Sequence, residues 1–440
     1  MGISADRDLV IAKLQEMQEW LLIAYAVSLP LSMTLSWGLL TAGIIAWGVE
    51  SAIRHLVKVP HDHGVIISTP FPLSLQIALL VFAIALSSAL NPAKHGAFGD
   101  TVWSVWSLKA LAIYFWASKV FHFRPAVARI AVPWLLSVSA IAGIWGTIQQ
   151  VFHYHPFGYQ WEQGTGFLSN PMAFAGQMQL FATMSLALLL TKGHERLGKA
   201  FQNKYLWIAI TIANLLGLVF ADERSAWIGG LVGVMIVTSL VSWKTFLKAA
   251  GVVFVASMIS FYAIPMVHNR VESTFKMDVG TSSRFKMWKV ALECWQKRPF
   301  VGVGYANFPR VELPEATAHE QNKDLAHAHS NYLQFLATTG IIGEIAYLWL
   351  LAGMVLVGIK SYVRAKIEKD WIAAGFCGGL LAGMVSLMVS GLFEYNFGTA
   401  QVRLAQWFIL ALLSYEAIKS PHQEKGTGPK DTVPDSLPSI

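Results

Sequence analysis

The sequence predicts an all-α polytopic membrane protein, with about twelve transmembrane helices and one large extramembrane helical loop. The first observation is compositional: the 440 residues are 55% hydrophobic and only 13% charged. Soluble domains carry about 25% charged residues. The second observation is that apolar runs of about 20 residues, long enough to cross a bilayer as a helix, recur along the chain. The mean hydropathy of +0.49 agrees with both.

Each apolar run defines one predicted span. The first two runs are separated only by a bend at Pro30, so their boundary rests on one residue. The predicted spans are 18–36, 38–54, 71–90, 105–121, 127–150, 171–191, 205–220, 225–242, 247–265, 331–360, 372–392 and 402–418.

The distribution of Lys and Arg predicts the orientation of the spans, because cytoplasmic loops are enriched in basic residues. With the N-terminus inside, the short outer loops hold only Lys94, Arg224 and Arg403, whereas the inner loops hold most of the remaining basic residues. Both termini are therefore predicted to be cytoplasmic. The net charge of +7 then follows from topology and gives no indication of nucleic acid binding.

Four regions follow from this reading. Residues 1–265 form nine spans with short loops, 266–328 a large outer loop, 329–419 three further spans, and 420–440 a cytoplasmic tail. The tail is rich in Pro, Gly, Ser and Lys and is predicted to be disordered. Residues 1–17 are mixed polar and lack the short apolar core of a cleavable signal peptide.

Two outer loops are long. The loop at 151–170 is aromatic and Gly-rich, which indicates either an interfacial aromatic belt or a platform on which sugar rings stack. In the second loop, residues 280–283 (Gly-Thr-Ser-Ser) are predicted to cap the start of a helix. Phe285, Trp288, Leu292 and Trp295 then recur at helical spacing, which is typical of an amphipathic helix lying on a membrane surface.

His329 lies where the large loop re-enters an apolar run, and Ser330 follows it. Histidine can take or give a proton near neutral pH. His329 therefore either exchanges a proton with a lipid-borne substrate or hydrogen-bonds a headgroup or loop carbonyl, with His327 as a supporting or solvated neighbour. Gly340 and Gly343, at i,i+3 spacing, predict a small-residue face against which another helix packs closely.

Arg224 and Arg284 are each predicted to open a helix on the outer face, where free N–H groups favour anions. The guanidinium fork matches phosphate oxygens and keeps its charge. Together the two arginines predict a pyrophosphate clamp. Alternatively, Arg224 reaches the interface as an isolated cation or pairs with Asp222 or Glu223.

The outer loops contain no Asp-x-Asp pair and no cluster of Cys and His at metal-ligand spacing. This pattern predicts no divalent metal site. No glycine-rich nucleotide-binding loop occurs in a strand–helix setting, so no cofactor is expected. The driving force of a reaction would then come from the substrate, and a lipid pyrophosphate provides it once its charge is neutralised.

Several segments resemble the O-antigen ligase superfamily. The segment AHAHSNYLQFLATTGIIG fits the histidine pattern H-[NSQ]-x9-G-x-x-[GTY], with His329, Ser330, Gly340 and Gly343 at the fixed positions. The other matching segments are GFLSNPMAFA (166–175), ERSAW around Arg224, TSSRFKMW around Arg284, PFVGVGYANF (299–308) and FEYNFG (393–398). The resemblance extends over about residues 166–400.

The resemblance implies a GT-C-like glycosyltransferase that moves a glycan from undecaprenyl pyrophosphate on the periplasmic face without a metal. It implies His329 as the catalytic residue and Arg224 and Arg284 as pyrophosphate-binding residues. The residues expected to support them are His327, Ser330, Asn170, Trp288 and Glu394. One departure is Thr339, where many relatives have an acidic residue before the glycine, so this chain must manage without that acid.

Within the superfamily, about twelve spans and a short tail favour a lipopolysaccharide O-antigen ligase. Its donor would be undecaprenyl-pyrophosphate-linked O-antigen and its acceptor a sugar hydroxyl of lipid A–core, in the inner membrane of a Gram-negative bacterium, with inversion at the anomeric carbon. The alternatives are an O-antigen polymerase, a protein O-oligosaccharyltransferase or, from another class, a transporter. A transporter would place charged or broken-helix sites near the bilayer midplane.

Overall fold

The computed structural model describes residues 2–56, 71–154, 156, 163–276, 279–311 and 327–418. Across these ranges the regular structure is helical. The predicted tail at 420–440, residues 155 and 157–162 of the aromatic loop, and residues 312–326 of the large loop lie outside the described residues.

Fifteen α-helices occur in the described part of the chain. They are α1 (Gly2–Ser28), α2 (Met33–Leu56), α3 (Ser74–Leu90), α4 (Gly96–Trp106), α5 (Ala112–Phe123), α6 (Ala126–Phe152), α7 (Pro171–Leu190), α8 (Lys204–Phe220), α9 (Arg224–Val241), α10 (Trp243–Ala263), α11 (Pro265–Phe275), α12 (Val279–Lys297), α13 (Asn331–Glu368), α14 (Trp371–Ser390) and α15 (Ala400–Ile418). Short 3-10 helices occupy Lys109–Leu111, Gly193–Arg196, Lys199–Phe201, Phe308–Arg310 and Asn396–Gly398.

Every predicted span overlaps a helix, and the division at Pro30 is confirmed because α1 ends at Ser28 and α2 begins at Met33. Seven of the described helices are long and apolar enough to cross a membrane: α2, α6, α7, α9, α10, α13 and α14. The chain is thus a polytopic helical membrane protein. Twelve spans are not confirmed, since α3 and α8 are apolar but shorter, and the predicted span 105–121 is interrupted between α4 and α5.

Helices α7 and α14 form the centre of the bundle. In each of them, 83% of the most apolar stretch is buried inside the protein. α14 packs against α7, α9 and α13, and α6 packs against α8. At the periphery, none of the corresponding stretch of α10 is buried, so α10 presents its apolar side chains to the surroundings, as a lipid-facing helix does.

One end of the bundle gathers the beginnings of α9 and α13, the segment 391–399 that joins α14 to α15, and helix α12. The N–H of Asn331 donates to the carbonyl of Gly391, and the Asn331 side chain accepts from the N–H of Phe397. These bonds fix the start of α13 against the 391–399 segment, and the two elements carry most of the predicted site.

Candidate active site

Helix α13 begins at Asn331, two residues after His329. Ser330 is the N-cap, and its hydroxyl oxygen accepts a hydrogen bond from the N–H of Leu333 at 3.4 Å. His329 itself has φ 47°, a left-handed conformation that a residue with a side chain seldom adopts. Such conformations concentrate at functional sites, where surrounding contacts hold them. Ser330 therefore has a structural role as the cap of α13.

Gly340 interrupts α13 with φ 63° and ψ −166°, a combination that only glycine adopts readily. The break exposes backbone groups of the helix, and residues 299–304 bind them. The N–H groups of Val303 and Gly304 donate to the carbonyls of Ala337 and Thr338, both at 3.0 Å, and the N–H of Ile341 donates to the carbonyl of Pro299 at 2.8 Å. The segment after α12 is thereby joined to the membrane helix.

The predicted helix-packing face at Gly340 and Gly343 is therefore wrong. A Cβ on Gly340 would meet the backbone of Phe300, and a Cβ on Gly343 would meet the side chain of Thr339 in the same helix. The i,i+3 spacing suggested a continuous helix, whereas the break places the glycine against an irregular turn. Gly340 is needed for its conformation and for the close approach of that turn.

Glu394 connects two of the predicted site residues. Its carboxylate is buried. Oε2 lies 3.3 Å from an Arg284 guanidinium nitrogen and 3.4 Å from His329 Nδ1, while Oε1 accepts the N–H of Tyr395 at 3.0 Å. Burial opposes ionisation, but the hydrogen bond from His329 and the nearby positive charges hold the pKa of Glu394 below its ordinary value. Glu394 is therefore an ionised, acceptor-only carboxylate.

This geometry determines which nitrogen of His329 can act as a base. An ionised carboxylate only accepts hydrogen bonds, so Nδ1 of His329 must carry the proton that faces Glu394. In the neutral ring, Nε2 then has a free lone pair. The pairing of a base with an orienting carboxylate is the arrangement that activates hydroxyl groups in many transferases and hydrolases. The 3.4 Å separation is long, and such bonds often shorten when substrate binds.

His327 packs beside His329, with ring centroids 4.2 Å apart. Its Nδ1 accepts the backbone N–H of His329 at 3.2 Å, which supports the left-handed turn. Burial, together with the charges of His329 and Arg284, lowers the pKa of His327 to about 4 despite the opposing effect of Glu394. His327 is therefore neutral at physiological pH, and its role as a supporting residue stays a prediction.

Arg284 lies in the second turn of α12, because the helix begins at Val279. The predicted Thr-Ser-Ser cap is therefore wrong: Ser and Thr are only mildly unfavourable inside a helix, and the helix continues through them. The N–H groups of this helix do not form the anion site expected at Arg284. Its guanidinium instead faces Glu394 from a helix that packs through Met287, Val290, Ala291 and Cys294, all of which are buried.

Arg224 is the first residue of α9, as predicted. The residue two positions before it, Asp222, is left-handed with φ 54°, which repeats the local pattern of His329 before α13. An Arg224 guanidinium N–H donates to Thr274 of α11 at 2.9 Å. The carboxylate of Asp222 lies 3.3 Å from Arg270, also of α11. Helix α11 thus carries partners for both residues.

The carboxyl group of Glu223 interacts electrostatically with charged residues of both the Arg224 region and the His329 region. It is buried, and burial together with the negative charge of Glu394 raises its pKa to about 8, against the lowering effect of Arg270 and Arg284. Burial likewise raises the pKa of Asp222 to about 6, although Arg270 and Arg224 oppose the shift. Glu223 and Glu394 therefore share one electrostatic environment, in which Glu394 is ionised and Glu223 holds its proton at neutral pH.

Two aromatic residues of α12 lie near this cluster. Trp288 packs against Phe285 and Phe393, with ring centroids 5.3 and 6.3 Å away. The buried indole N–H of Trp288 has no hydrogen-bond partner among the described residues. Phe285 is half exposed, so part of the predicted aromatic stripe does face outward.

Asn170 caps α7, where its side-chain oxygen accepts the N–H groups of Met172 and Ala173 at 2.8 and 3.3 Å. This use of the oxygen explains the residue as a helix cap. A supporting role toward substrate, which the sequence resemblance implied, stays a prediction. The aromatic platform at 151–170 is also untested, because part of it lies outside the described residues.

His327, His329 and Glu394 together form a group of ligand atoms within 4.8 Å of one another, a spacing at which a metal ion can be held. The sequence-based conclusion that the outer loops hold no such cluster is therefore wrong, because 65 residues separate His329 from Glu394 along the chain. The guanidinium of Arg284, 3.3 Å from the same Glu394 oxygen, opposes a second cation there. Metal independence stays a prediction.

Some residues of the site were not found by sequence reasoning. Arg270 was not recognised, because its partner Asp222 lies 48 positions earlier in the chain. Tyr305 and Tyr395, whose hydroxyl groups lie 3.2 Å apart, bridge the 299–308 segment and the 393–398 segment. Both tyrosines stand inside segments that the resemblance singled out, and only the folded structure brings them together.

Residues 209–348 match the family model described as O-antigen ligase. The matched range is about a third of the chain. It includes Arg224, Arg284 and His329, and it ends before Glu394. The resemblance to this superfamily that the sequence predicted is thus confirmed over the matched range.

The chain is also similar to a curated protein, the ComP-specific O-oligosaccharyltransferase of Acinetobacter baylyi. The two are 23% identical over 255 residues, which is 56% of this chain and 44% of the relative. The chain therefore spans less than half the length of that relative. Both similarities support the general prediction that the chain is a glycosyltransferase-like transferase.

Proposed function

We propose that this protein is an O-antigen ligase. It transfers O-antigen polysaccharide from undecaprenyl pyrophosphate to a sugar hydroxyl of lipid A–core. The observation that carries the proposal is that one carboxylate oxygen, Oε2 of Glu394, is shared between His329 and Arg284. A base for the acceptor and a cation for the leaving group are thereby held side by side.

Arg284 and Arg224 bind the pyrophosphate of the donor. As the bond between the anomeric carbon and the pyrophosphate oxygen breaks, negative charge grows on that oxygen. Fixed guanidinium groups stabilise this charge more than that of the bound donor, which lowers the barrier. The N-terminus of α9, where Arg224 is the first helical residue, adds favourable N–H dipoles for the same anion.

His329 accepts the proton of the acceptor hydroxyl on Nε2. The hydroxyl oxygen forms the new bond to the anomeric carbon from the face opposite the leaving pyrophosphate, so the configuration inverts. Glu394 holds the proton on Nδ1 and stabilises the imidazolium that results. Products are the glycosylated lipid A–core and undecaprenyl pyrophosphate, and the base proton passes to solvent. General-base assistance of this kind contributes about 10²- to 10⁴-fold.

The proposal includes a location. The charge pattern of the loops favours an orientation with both termini in the cytoplasm and His329 on the opposite side of the membrane. The proposed substrates imply that this membrane is the inner membrane of a Gram-negative bacterium and that His329 faces the periplasm. The partners are the two lipid-linked glycans and the membrane lipids, with no nucleic acid. The reaction needs no cofactor.

The proposal is tested by deleting the gene and analysing the surface glycolipids. A ligase deletion accumulates undecaprenyl-linked polysaccharide and leaves bare lipid A–core, and plasmid-borne wild type restores capping. His329→Ala should fail to restore capping while reaching wild-type levels in the membrane. Cores capped by a single repeat unit would instead indicate an O-antigen polymerase, and restoration by His329→Ala would refute the catalytic assignment.

A protein O-oligosaccharyltransferase is the second candidate, because the curated relative carries that name. The two functions differ in the acceptor and share the donor chemistry. Purified protein should be given lipid-linked donor with either lipid A–core or the deletion strain's periplasmic extract. Glycan on lipid A–core supports the ligase, whereas glycan on a protein of the extract supports the second candidate.

A further inference from the structure

A cavity of about 440 Å³ lies at the opposite end of the bundle from His329. It is bounded by the C-terminal ends of α7, α9 and α13 and the N-terminal end of α14, whereas the candidate active site adjoins the other ends of α9, α13 and α14. Its volume falls within the range of roughly 300–1,000 Å³ that is usual for small-molecule sites. The lining residues are Leu190, Thr191, Lys192, Glu195, Arg196, Val241, Tyr362, Lys366 and Trp371.

The lining is basic. It contains Lys192, Arg196 and Lys366 against a single acid, Glu195, which leaves a net charge of +2 from these four side chains. Within the described residues no salt bridge neutralises either lysine. Arg196 donates to the carbonyl of Lys369 at 3.3 Å, which fixes its guanidinium at the rim. The cavity therefore favours an anion.

Two aromatic side chains shape the lining around Lys366. Its ammonium group lies 5.5 Å from the ring centroid of Trp371 and 5.9 Å from that of Tyr362. These cation–π contacts hold the ammonium over the rings and leave its other hydrogens available to a ligand. The Tyr362 hydroxyl donates to the carbonyl of Leu240 at 2.6 Å, so this wall is anchored to α9.

The apolar part of the lining distinguishes a lipid from a free anion. Leu190 and Val241 stand at the ends of α7 and α9, helices that are long and apolar enough to span the membrane. A phosphate bound by the lysines would have these side chains beside it on the membrane side. A free phosphate gains nothing from them, whereas the acyl chains of a lipid bury them.

We propose that this cavity binds the anionic phosphate headgroup of a membrane phospholipid, with Lys192, Arg196 and Lys366 on the phosphate and the acyl chains over Leu190 and Val241. Basic pockets between transmembrane helices are suited to such headgroups. Glu195 at the rim accepts a hydrogen bond from a headgroup hydroxyl, which favours phosphatidylglycerol over lipids without one. The site is separate from the transfer chemistry and does not depend on the proposed function.

The test is native mass spectrometry of the purified full-length protein with palmitoyl-oleoyl phosphatidylglycerol or phosphatidylcholine. Lys192→Gln with Lys366→Gln should weaken phosphatidylglycerol binding by about 30-fold, since each lysine near the surface contributes roughly fivefold. The matched control is Lys199→Gln with Lys204→Gln, which removes the same charge from two exposed positions, one before α8 and one at its first residue. The control should change binding less than twofold.

Two further arms keep the proposal testable if the double variant is unstable. Lys192→Arg with Lys366→Arg keeps both charges and should retain the preference for phosphatidylglycerol over phosphatidylcholine. Inorganic phosphate should displace the lipid no better than chloride at matched ionic strength. Equal phosphatidylglycerol binding by the Gln double variant and the control would overturn the site, and selective displacement by phosphate would overturn the lipid assignment.

Discussion

One carboxylate oxygen of Glu394 lies 3.3 Å from Arg284 and 3.4 Å from His329, so a single substitution perturbs the proposed base and the proposed clamp together. Glu394→Gln keeps the size of the side chain and removes its charge. The amide can present its NH₂ to His329 and thus favour the tautomer with the proton on Nε2, which cannot act as a base. We expect transfer to fall by about 10²-fold or more, measured as kcat with lipid-linked donor.

The matched control is Glu293→Gln, which removes one carboxylate from α12. The control should keep wild-type kcat. A loss of activity accompanied by reduced membrane levels of Glu394→Gln would indicate a folding defect instead.

The two arginines should not tolerate lysine. Arg224→Lys and Arg284→Lys keep the positive charge but lose the bidentate fork that matches phosphate oxygens. We expect both variants, like the Ala variants, to lose most of the transfer activity, with a raised KM for the donor. Arg298→Lys, at an exposed position beyond the end of α12, serves as the control. Full activity in either Lys variant would reduce that arginine to a structural role.

The buried acid Glu223 should give the protein a specific stability profile. Its pKa is about 8 in the folded protein, mainly through burial, against an ordinary value of 4.5. The folded state therefore holds the proton more tightly, so this stabilising contribution is complete below pH 4.5 and is lost as pH rises toward 8. Glu223→Gln should show a smaller fall in Tm between pH 5 and pH 9 than wild type. Parallel Tm curves for the two proteins would contradict the buried, protonated state.

At the residue scale the sequence indicated individual candidate residues and not the contacts between them. His329 and Arg224 stood out because each lies at the edge of an apolar run, and Arg284 because it follows a predicted helix cap. The sequence could not predict that Glu394 contacts both His329 and Arg284. This contact depends on how α12, α13 and the 391–399 segment pack together. The same reasoning explains the missed ligand cluster of His327, His329 and Glu394.

At the scale of elements, the break in α13 decides how the site is held. Gly340→Ala would place a Cβ against the backbone of Phe300 at a φ of 63°. The strain of that conformation costs about 1–3 kcal/mol, and losing the close approach of residues 299–304 costs more. We expect a clearly lower Tm and loss of transfer, measured in detergent-purified protein.

Gly38→Ala in α2 is the matched control for this change, because nothing lies within 4 Å of its added Cβ. A Gly-to-Ala change in an unobstructed helix is neutral or favourable by up to about 1 kcal/mol. Equal Tm values for the Gly340→Ala and Gly38→Ala proteins would show that the break tolerates a side chain.

The positions of the helices could be predicted from the sequence wherever a long apolar run defines them. Each predicted span overlaps a helix because the bilayer length and the apolar run length agree. The start of α12 and the interior of α13 were not predictable in the same way. Ser and Thr are compatible with both a cap and a helix interior, and a glycine in an apolar run does not reveal whether it packs or breaks the helix.

For the whole molecule, the sharpest distinction is between an arginine-based and a metal-based site. The guanidinium of Arg284 beside Glu394 supplies positive charge where a metal would otherwise be needed. We therefore expect purified enzyme to keep its transfer rate in excess EDTA. His327→Ala should then reduce the rate only moderately, since His327 would act through the loop conformation.

The contrary result is equally specific. Loss of turnover on chelation, restored by magnesium or manganese, would contradict the metal-free mechanism. The group of His327, His329 and Glu394 would then be the first ligand set to test, followed by Asp222 and Glu223. In that case His327→Ala should abolish activity as completely as His329→Ala.

The docking of residues 299–304 into the break of α13 has a consequence for how the chain can vary in length. Nine residues separate the cap at Ser330 from the break at Gly340, and the ten steps between these two positions span about 15 Å of helix. Adding one residue between them would rotate the break by about 100° relative to the cap. Residues 299–304 and His329 could then not both keep their hydrogen bonds. The number of residues between the cap and the break is therefore fixed by the structure, whereas the identities of those residues can vary.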